Sequence, residues 1–198
     1  MLRNVLKLLS FTVLALLFAG PAAAQDAASV LKPPKGSKMA IVVFEDLQCP
    51  ECARAHPVIE EAGRKYKIPV MVHDFPLPMH NWSYKAAVYA RYFDTQSKQL
   101  GDDFRTFIFQ HQPEINPQNL QQFLDQFARE HKTDLPFAVD PQGKLAAAIQ
   151  ADKDLGTRVG LNHTPTIYVV TNKASGAPYE EVTDRTQLFS TIDRMKVE

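Results

Sequence analysis

Met39-Ala40-Ile41-Val42-Val43-Phe44 is followed, five residues on, by Cys49-Pro50-Glu51-Cys52. The apolar run is short and rich in β-branched residues, which is the signature of a buried strand. The residues after the cysteines can form a helix, so both thiols stand at a strand-to-helix junction. A helix N-terminus carries partial positive charge and unpaired N–H groups, and both favour a thiolate on Cys49. Cys52 lies one turn into that helix, close enough to close a disulfide. The chain contains 2 cysteines, so the pair belongs to no larger disulfide framework. Two thiols in this arrangement are the geometry of a dithiol redox centre.

Working outward, a first strand is expected over Met39–Phe44 and a helix from Cys49 to about Tyr66, with Pro57 kinking it. A second strand is expected over Pro69–Phe75 and is ended by Pro76 and Pro78. The stretch from about 79 to 158 reads as helical. Tyr84, Ala87, Val88 and Tyr92 recur at helical spacing, as do Phe104, Phe107 and Ile108, and Leu120, Phe123, Leu124 and Phe127. A longer helix over Gly143–Arg158 carries Leu145, Ile149 and Leu155. Strand character returns at Thr166–Val170. A turn over Asn172–Gly176 leads to a short strand at Tyr179–Val182 and an end helix from Asp184. Without its helical block, this order is βαβ followed by ββα. The expected fold class is therefore α/β: a thioredoxin fold in residues 39–198 with an inserted helical subdomain. The pairs Glu60-Glu61 and Asp102-Asp103 read as solvated helix charges.

Residues 1–24 read as a secretory signal peptide. Arg3 and Lys7 supply its basic start, Leu8 to Gly20 its apolar core and Ala22-Ala23-Ala24 a small-residue cleavage site. An uncleaved anchor is the competing reading, although the core is shorter than the ~20 residues of a membrane span. Residues 25–38 read as an extended arm. Of the 198 residues, 174 would remain after cleavage, which suits one domain. Mature charge is near balance, with 20 Lys+Arg against 22 Asp+Glu, so neither nucleic acid nor an anionic membrane is expected as a partner. Export places the thiols where disulfides persist, in a periplasmic or otherwise extracytoplasmic space.

A second motif adds weight. His163-Thr164-Pro165-Thr166 opens a late strand, where a Pro is either an ordinary strand start or a cis bond at a sharp turn. A cis bond there would leave the preceding backbone free to pair with an incoming peptide.

With Asp46-Leu47-Gln48-Cys49-Pro50-Glu51-Cys52, His56-Pro57 and Thr164-Pro165-Thr166 in place, the chain resembles the DsbA family of exported thiol-disulfide oxidoreductases, over nearly all of its mature length. The resemblance implies an enzyme with no cofactor beyond its redox-active Cys49–Cys52 disulfide. It implies Cys49 as exposed nucleophile, Cys52 as buried partner, Pro165 in cis and substrate pairing beside Thr164. It also implies exported proteins with free thiols or disulfides as substrates, and a membrane quinone-linked partner for reoxidation. A monomer is expected.

Three positions depart from the family pattern. Relatives carry a buried acid six residues before the first cysteine, where this chain has Val43. Glu45 would point to the same side of an extended strand and is either a substitute or an edge charge. The inner dipeptide is Pro50-Glu51 rather than Pro-His, and an anionic Glu51 opposes ionisation of Cys49. His163 stands where Gly is common, and it either approaches the sulfurs or is a loop histidine. Glu45, Pro50, Glu51 and His163 are candidate tuners of the centre.

A reading from another class is a zinc site built from Cys49, Cys52 and His56 with His73 or His163 as fourth ligand. Within the redox class a disulfide donor is the first expectation, with reductase and isomerase as alternatives.

Overall fold

The computed structural model describes residues 30–173 and 177–196. The expected signal peptide and residues 25–29 of the arm lie outside the described residues, as do Ala174, Ser175 and Gly176 of the expected turn. β1 (Met39–Glu45) leads through a short loop into α1 (Pro50–Tyr66), and β2 (Val70–Asp74) follows. Four helices come next: α2 (Ser83–Gln96), α3 (Lys98–His111), α4 (Leu120–Glu130) and α5 (Lys144–Arg158). The chain then returns through β3 (Thr166–Thr171) and β4 (Tyr179–Glu181) to α6 (Leu188–Met195).

The four strands form one sheet in the order β2-β1-β3-β4. β2 runs parallel to β1, while β3 and β4 are antiparallel to their neighbours. β1 is central, and all seven of its residues are buried, as a strand covered on both faces requires. Period-two alternation then divides it. Met39, Ile41 and Val43 pack with Ala55 and Ile59 of α1 and Leu188 and Ile192 of α6. Ala40, Val42 and Phe44 pack on the other face with Tyr168 and Val170, against Leu155 of α5. Leu31, midway along the expected extended arm, is buried in this second cluster at 1 % exposure. An apolar side chain thus anchors the arm.

α2, α3 and α4 build a third core of aromatic residues. Phe93, Phe104 and Phe127 meet pairwise with ring centroids 4.8–5.0 Å apart, in the tilted and edge-on geometry aromatic pairs prefer. Leu47, Cys49 and Cys52 belong to this core, so the cysteine end of α1 is clamped between sheet and helical block.

Several boundaries differ from the sequence reading. Asp184 does not start a helix. It caps a 3₁₀ turn, Arg185–Gln187, by accepting from the Thr186 N–H at 2.9 Å, and α6 follows. Glu60 and Asp102 are not solvated charges: they are half-buried where α1 faces α3, and burial raises the Glu60 pKa. α1 runs through Pro57 without interruption and ends at Lys67, in the left-handed conformation at φ 53°. Among the described residues no helix is long and apolar enough to cross a membrane.

α5 crosses the sheet at a close approach. A Cβ at Gly156 would stand 2.6 Å from Phe75 Cε2 and 2.8 Å from its Cδ2. Gly156→Ala therefore trades a helix-propensity gain of about 1 kcal/mol against overpacking that costs about 1–3 kcal/mol. Net destabilisation is expected, read as a lower guanidinium midpoint at unchanged m-value.

Candidate active site: a dithiol at the head of α1

Cys49 is the N-cap of α1, with extended φ and ψ of −78° and 121°. Pro50 occupies the first helical position, where its missing N–H is no loss. Glu51 and Cys52 follow, so their free N–H groups face the Cys49 sulfur and favour its anion. Both cysteines are free thiols, and both are buried, Cys49 at 7 % exposure and Cys52 at 1 %. Cys49 is therefore less open than the resemblance implied.

The thiols are electrostatically unlike. The Cys49 pKa falls from an ordinary 9.0 to about 5, chiefly through a hydrogen bond from the Cys52 thiol, against the opposing cost of burial. The Thr164 hydroxyl and the two N–H groups add to the same effect. Burial pushes the Cys52 thiol well up, and the neighbouring Cys49 and Glu45 charges push it further. The Asp46 N–H, 3.4 Å from Cys52 Sγ, is its one opposing contact.

The Thr164–Pro165 bond is cis and brings Thr164 against the dithiol. As a thiol, Cys49 donates to the Thr164 carbonyl oxygen at 3.3 Å, and the buried Thr164 hydroxyl then has no hydrogen-bond partner of its own. When Cys49 ionises the S–H is gone and the hydroxyl gains an acceptor, so one residue serves both protonation states.

The loop between β1 and α1 is held by residues the sequence reading passed over. The Asp46 carboxylate, fully buried, accepts from the N–H groups of Gln48 and Leu77 at 2.7 Å each, from His80 Nδ1 at 2.7 Å and from the Ser83 hydroxyl. Gln112, at the end of α3, donates to the carbonyls of Leu47 at 2.8 Å and Cys49 at 3.1 Å. Asp followed two residues later by an N–H it can accept is a recognisable Asx turn. Gln112 had no such signal.

Glu45 is buried at 3 % exposure, and burial raises its pKa to about 8. It faces Arg105, at 3.6 Å between Oε1 and Nε. Arg105 forks onto Asp94 at 2.9 and 3.0 Å and lies 3.5 Å from Asp74. Arg91 pairs with Asp74 and Asp152, and Asp152 in turn bonds His73 Nδ1 at 2.6 Å. Four carboxyls thus share two guanidiniums, and Glu45, its pKa raised to about 8 by burial, keeps its proton at neutral pH. An Arg among Phe104, Phe107, Ile108 and Phe109 was the sequence signal for this buried cluster.

The remaining candidates bond other partners. Glu51 is exposed and bound by Arg54 and Arg185. His163 is exposed, with Nδ1 2.8 Å from Asn162 Oδ1. His56 is kept neutral, its pKa lowered to about 4 by burial, and its Nε2 meets the Thr106 hydroxyl at 2.9 Å. The histidines of the zinc reading bond other residues instead of converging on the sulfurs. Among the described residues no group of His, Cys, Asp and Glu is arranged to hold a metal ion.

Fold and site together define the class: a thiol-disulfide oxidoreductase of thioredoxin type. The chain belongs to the thioredoxin family, whose sequence model matches residues 35–187. Among curated proteins none matches it at the sequence level. Solved structures of DsbA proteins share its fold. The thiol-disulfide exchange protein alpha-DsbA2 of Wolbachia pipientis is 21 % identical with a TM-score of 0.68, the match covering 87 % of this chain and 91 % of that one. Pseudomonas aeruginosa DsbA2 is 17 % identical with a TM-score of 0.60, over 83 % and 92 % of the two chains. A periplasmic thioredoxin-like protein from Salmonella enterica serovar Typhimurium is 18 % identical with a TM-score of 0.63, over 82 % and 86 %.

Two outcomes follow from the electrostatics. Arg105→Met strands the Asp74 and Asp94 carboxylates without their shared cation, and breaking a buried pair in this way costs about 3–5 kcal/mol; guanidinium unfolding should show a loss of that size. The second concerns pH. Cys49 titrates in the folded reduced protein at about 5 instead of 9.0. That depressed value contributes stability above the unfolded pKa, which is lost as pH falls through the folded one. The reduced protein should therefore gain up to about 1.4 kcal/mol per pH unit between these limits. The oxidised protein has no Cys49 proton to lose. Glu45, raised from 4.5 to about 8, contributes below the lower value and loses that contribution as pH rises through the higher. It does so in both redox forms and drops out of the difference. Unfolding both forms from pH 5 to 8 should show the reduced-minus-oxidised stability rising; a flat difference would refute a low Cys49 pKa.

Proposed function

We propose that the protein is an exported disulfide donor that passes its Cys49–Cys52 disulfide to the thiols of other exported proteins. One observation carries the reading: Cys49 is a stabilised thiolate while its partner Cys52 is held as a thiol. A reduced form stabilised in this way makes its disulfide a strong oxidant.

The exchange runs in two displacements. A substrate thiolate attacks Cys49 Sγ, the Cys49–Cys52 bond breaks, and its electron pair goes to Cys52 Sγ, which takes up a proton. A second substrate thiolate then attacks the substrate sulfur of the mixed disulfide, and the electron pair leaves on Cys49. A thiol of low pKa is the better leaving group, so this step is directed toward a disulfide in the substrate. Two electrons pass from substrate to protein. Of the two substrate protons, one remains on Cys52 and one goes to solvent, because Cys49 leaves as the anion.

Each further residue has a proposed part. Glu45 is protonated at neutral pH beside Cys52 and is the proton store for that sulfur as it forms. Thr164 steadies Cys49 in either protonation state, and Thr164 with Pro165 receives the substrate backbone. Pro50, Glu51 and His163 tune the rim. The leader-like residues 1–24 and the likeness to a periplasmic protein support action outside the cytoplasm; there the protein is taken to act as a monomer whose disulfide a membrane quinone-linked partner restores. Reduction or isomerisation in the same compartment is the alternative direction.

Equilibration with glutathione decides the direction. A donor should come to rest at or above the ~−180 mV of protein disulfide isomerase, whereas a value near the ~−270 mV of thioredoxin would mark a reductant. Cys52→Ala should accumulate mixed disulfides through Cys49, and Cys49→Ala should abolish exchange. Trapping through Cys52 instead would reverse the assignment.

A further inference from the structure

Glu51 sits between the two cysteines, and on charge alone it should oppose a thiolate on Cys49. Its carboxylate is not free to do so. Arg54, one turn along α1, grips both oxygens, with Nε 3.1 Å from Oε2. Arg185, from the 3₁₀ turn ahead of α6, reaches back across 134 residues of sequence to place Nη1 2.9 Å from Oε2. The carboxylate is thus turned onto two guanidiniums, and the group of three carries one net positive charge. The Arg54 guanidinium is also near enough to interact with the Cys49 charge. Asp184, which caps its own turn, keeps its charge beside Arg185 and partly offsets it.

We propose that Arg54 and Arg185 are positioning residues that convert the acidic Pro50-Glu51 dipeptide into a cationic rim around Cys49. The proposal rests on Cys49 being the reactive sulfur of a disulfide donor. When Cys49 is a thiolate, rim and sulfur sum to zero. When it is in a disulfide, the rim keeps an uncompensated positive charge. The rim therefore favours the reduced protein and attracts an incoming substrate thiolate, which is itself an anion. Arg185 gives the C-terminal segment a direct hold on the redox centre that no local motif encodes. The charges are exposed, so the effect is screened by salt within about 10 Å at 0.1 M.

The test uses alkylation of Cys49 in the reduced protein, because iodoacetate is an anion and iodoacetamide is neutral. The ratio of their rates reports the rim's charge independently of any disulfide exchange. The four proteins are wild type, Glu51→Gln, Arg54→Met/Arg185→Met and the triple variant; these side chains are 38–54 % exposed, so folding is not at risk. The net rim charges are one positive, two positive, one negative and zero. The rate ratio should fall in the order Glu51→Gln, wild type, triple, double, by at least threefold from wild type to double at low salt, and the order should collapse in 1 M salt. The Cys49 titration midpoint should rise in that same order, from Glu51→Gln to the double variant. Asp184 is common to all four and cancels. Equal ratios and midpoints in the four proteins would overturn the proposal, as would a double variant that Glu51→Gln does not partly restore, which is what a structural role for the arginines predicts. A wild type that never equilibrates with glutathione would overturn the donor reading while leaving the alkylation order to be read.

Discussion

A thiolate at the head of a helix is stable only while its donors stay in place, and a sulfur anion binds each of them weakly. The low Cys49 pKa is the sum of several contacts: the Cys52 thiol, two N–H groups and the Thr164 hydroxyl. None belongs to a rigid pre-formed ring. They come from the first turn of α1 and from a loop 115 residues away. The fold has to hold these pieces in register, and much of its polar interior does so. The Asp46 carboxylate joins the loop before Cys49 to the segment entering α2. Gln112 joins the same loop to the end of α3. The helical block thus gives the dithiol a fixed wall and covers Cys52 so that it resists ionisation.

Burial raises a second problem. A deeply placed Glu45 and Arg105 are each costly to desolvate, and replacing such pairs by apolar residues is often neutral or stabilising. Their retention under the active site fits a use beyond stability. The cluster has more acids than bases, and burial keeps the Glu45 carboxyl protonated at neutral pH. In the proposed exchange its neighbour Cys52 is the sulfur that gains and loses a proton in each turnover. The strand register makes this possible: Glu45 lies on the same face of β1 as Val43, at the strand end nearest the cysteines, and pairs with Asp74 across β2.

Much of this was legible in the chain. The β-branched run before Cys49 and the helical periodicities led to the element order, because each is a local consequence of backbone chemistry, whereas Pro165 ahead of Thr166 left a strand start and a cis bond both open until the family resemblance favoured cis. Glu45 could be placed on the correct face by alternation alone. Its burial could not, since that depends on α3 bringing Arg105 over it. Arg105 illustrates the limit: a charge in a helix reads as solvated unless the apolar residues around it are taken to define its face. The three-residue offset between Glu51 and Arg54 was visible, but the contact with Arg185 depends on how the chain returns through β3 and β4.

That return changes the meaning of a motif. Read in isolation, Glu51 between two cysteines is a charge that weakens a thiolate. In the folded chain it is the acceptor around which two cations gather, one of them contributed by the turn that closes the sheet. The dipeptide between the cysteines therefore has no fixed electrostatic value. Its effect depends on what the C-terminal segment places beside it, and substituting the dipeptide alone changes the charge of the rim without removing the arginines. The same reasoning applies to Thr164, whose carbonyl serves the thiol and whose hydroxyl serves the thiolate. At both ends of the site, groups remote in sequence decide which protonation state of Cys49 the fold prefers.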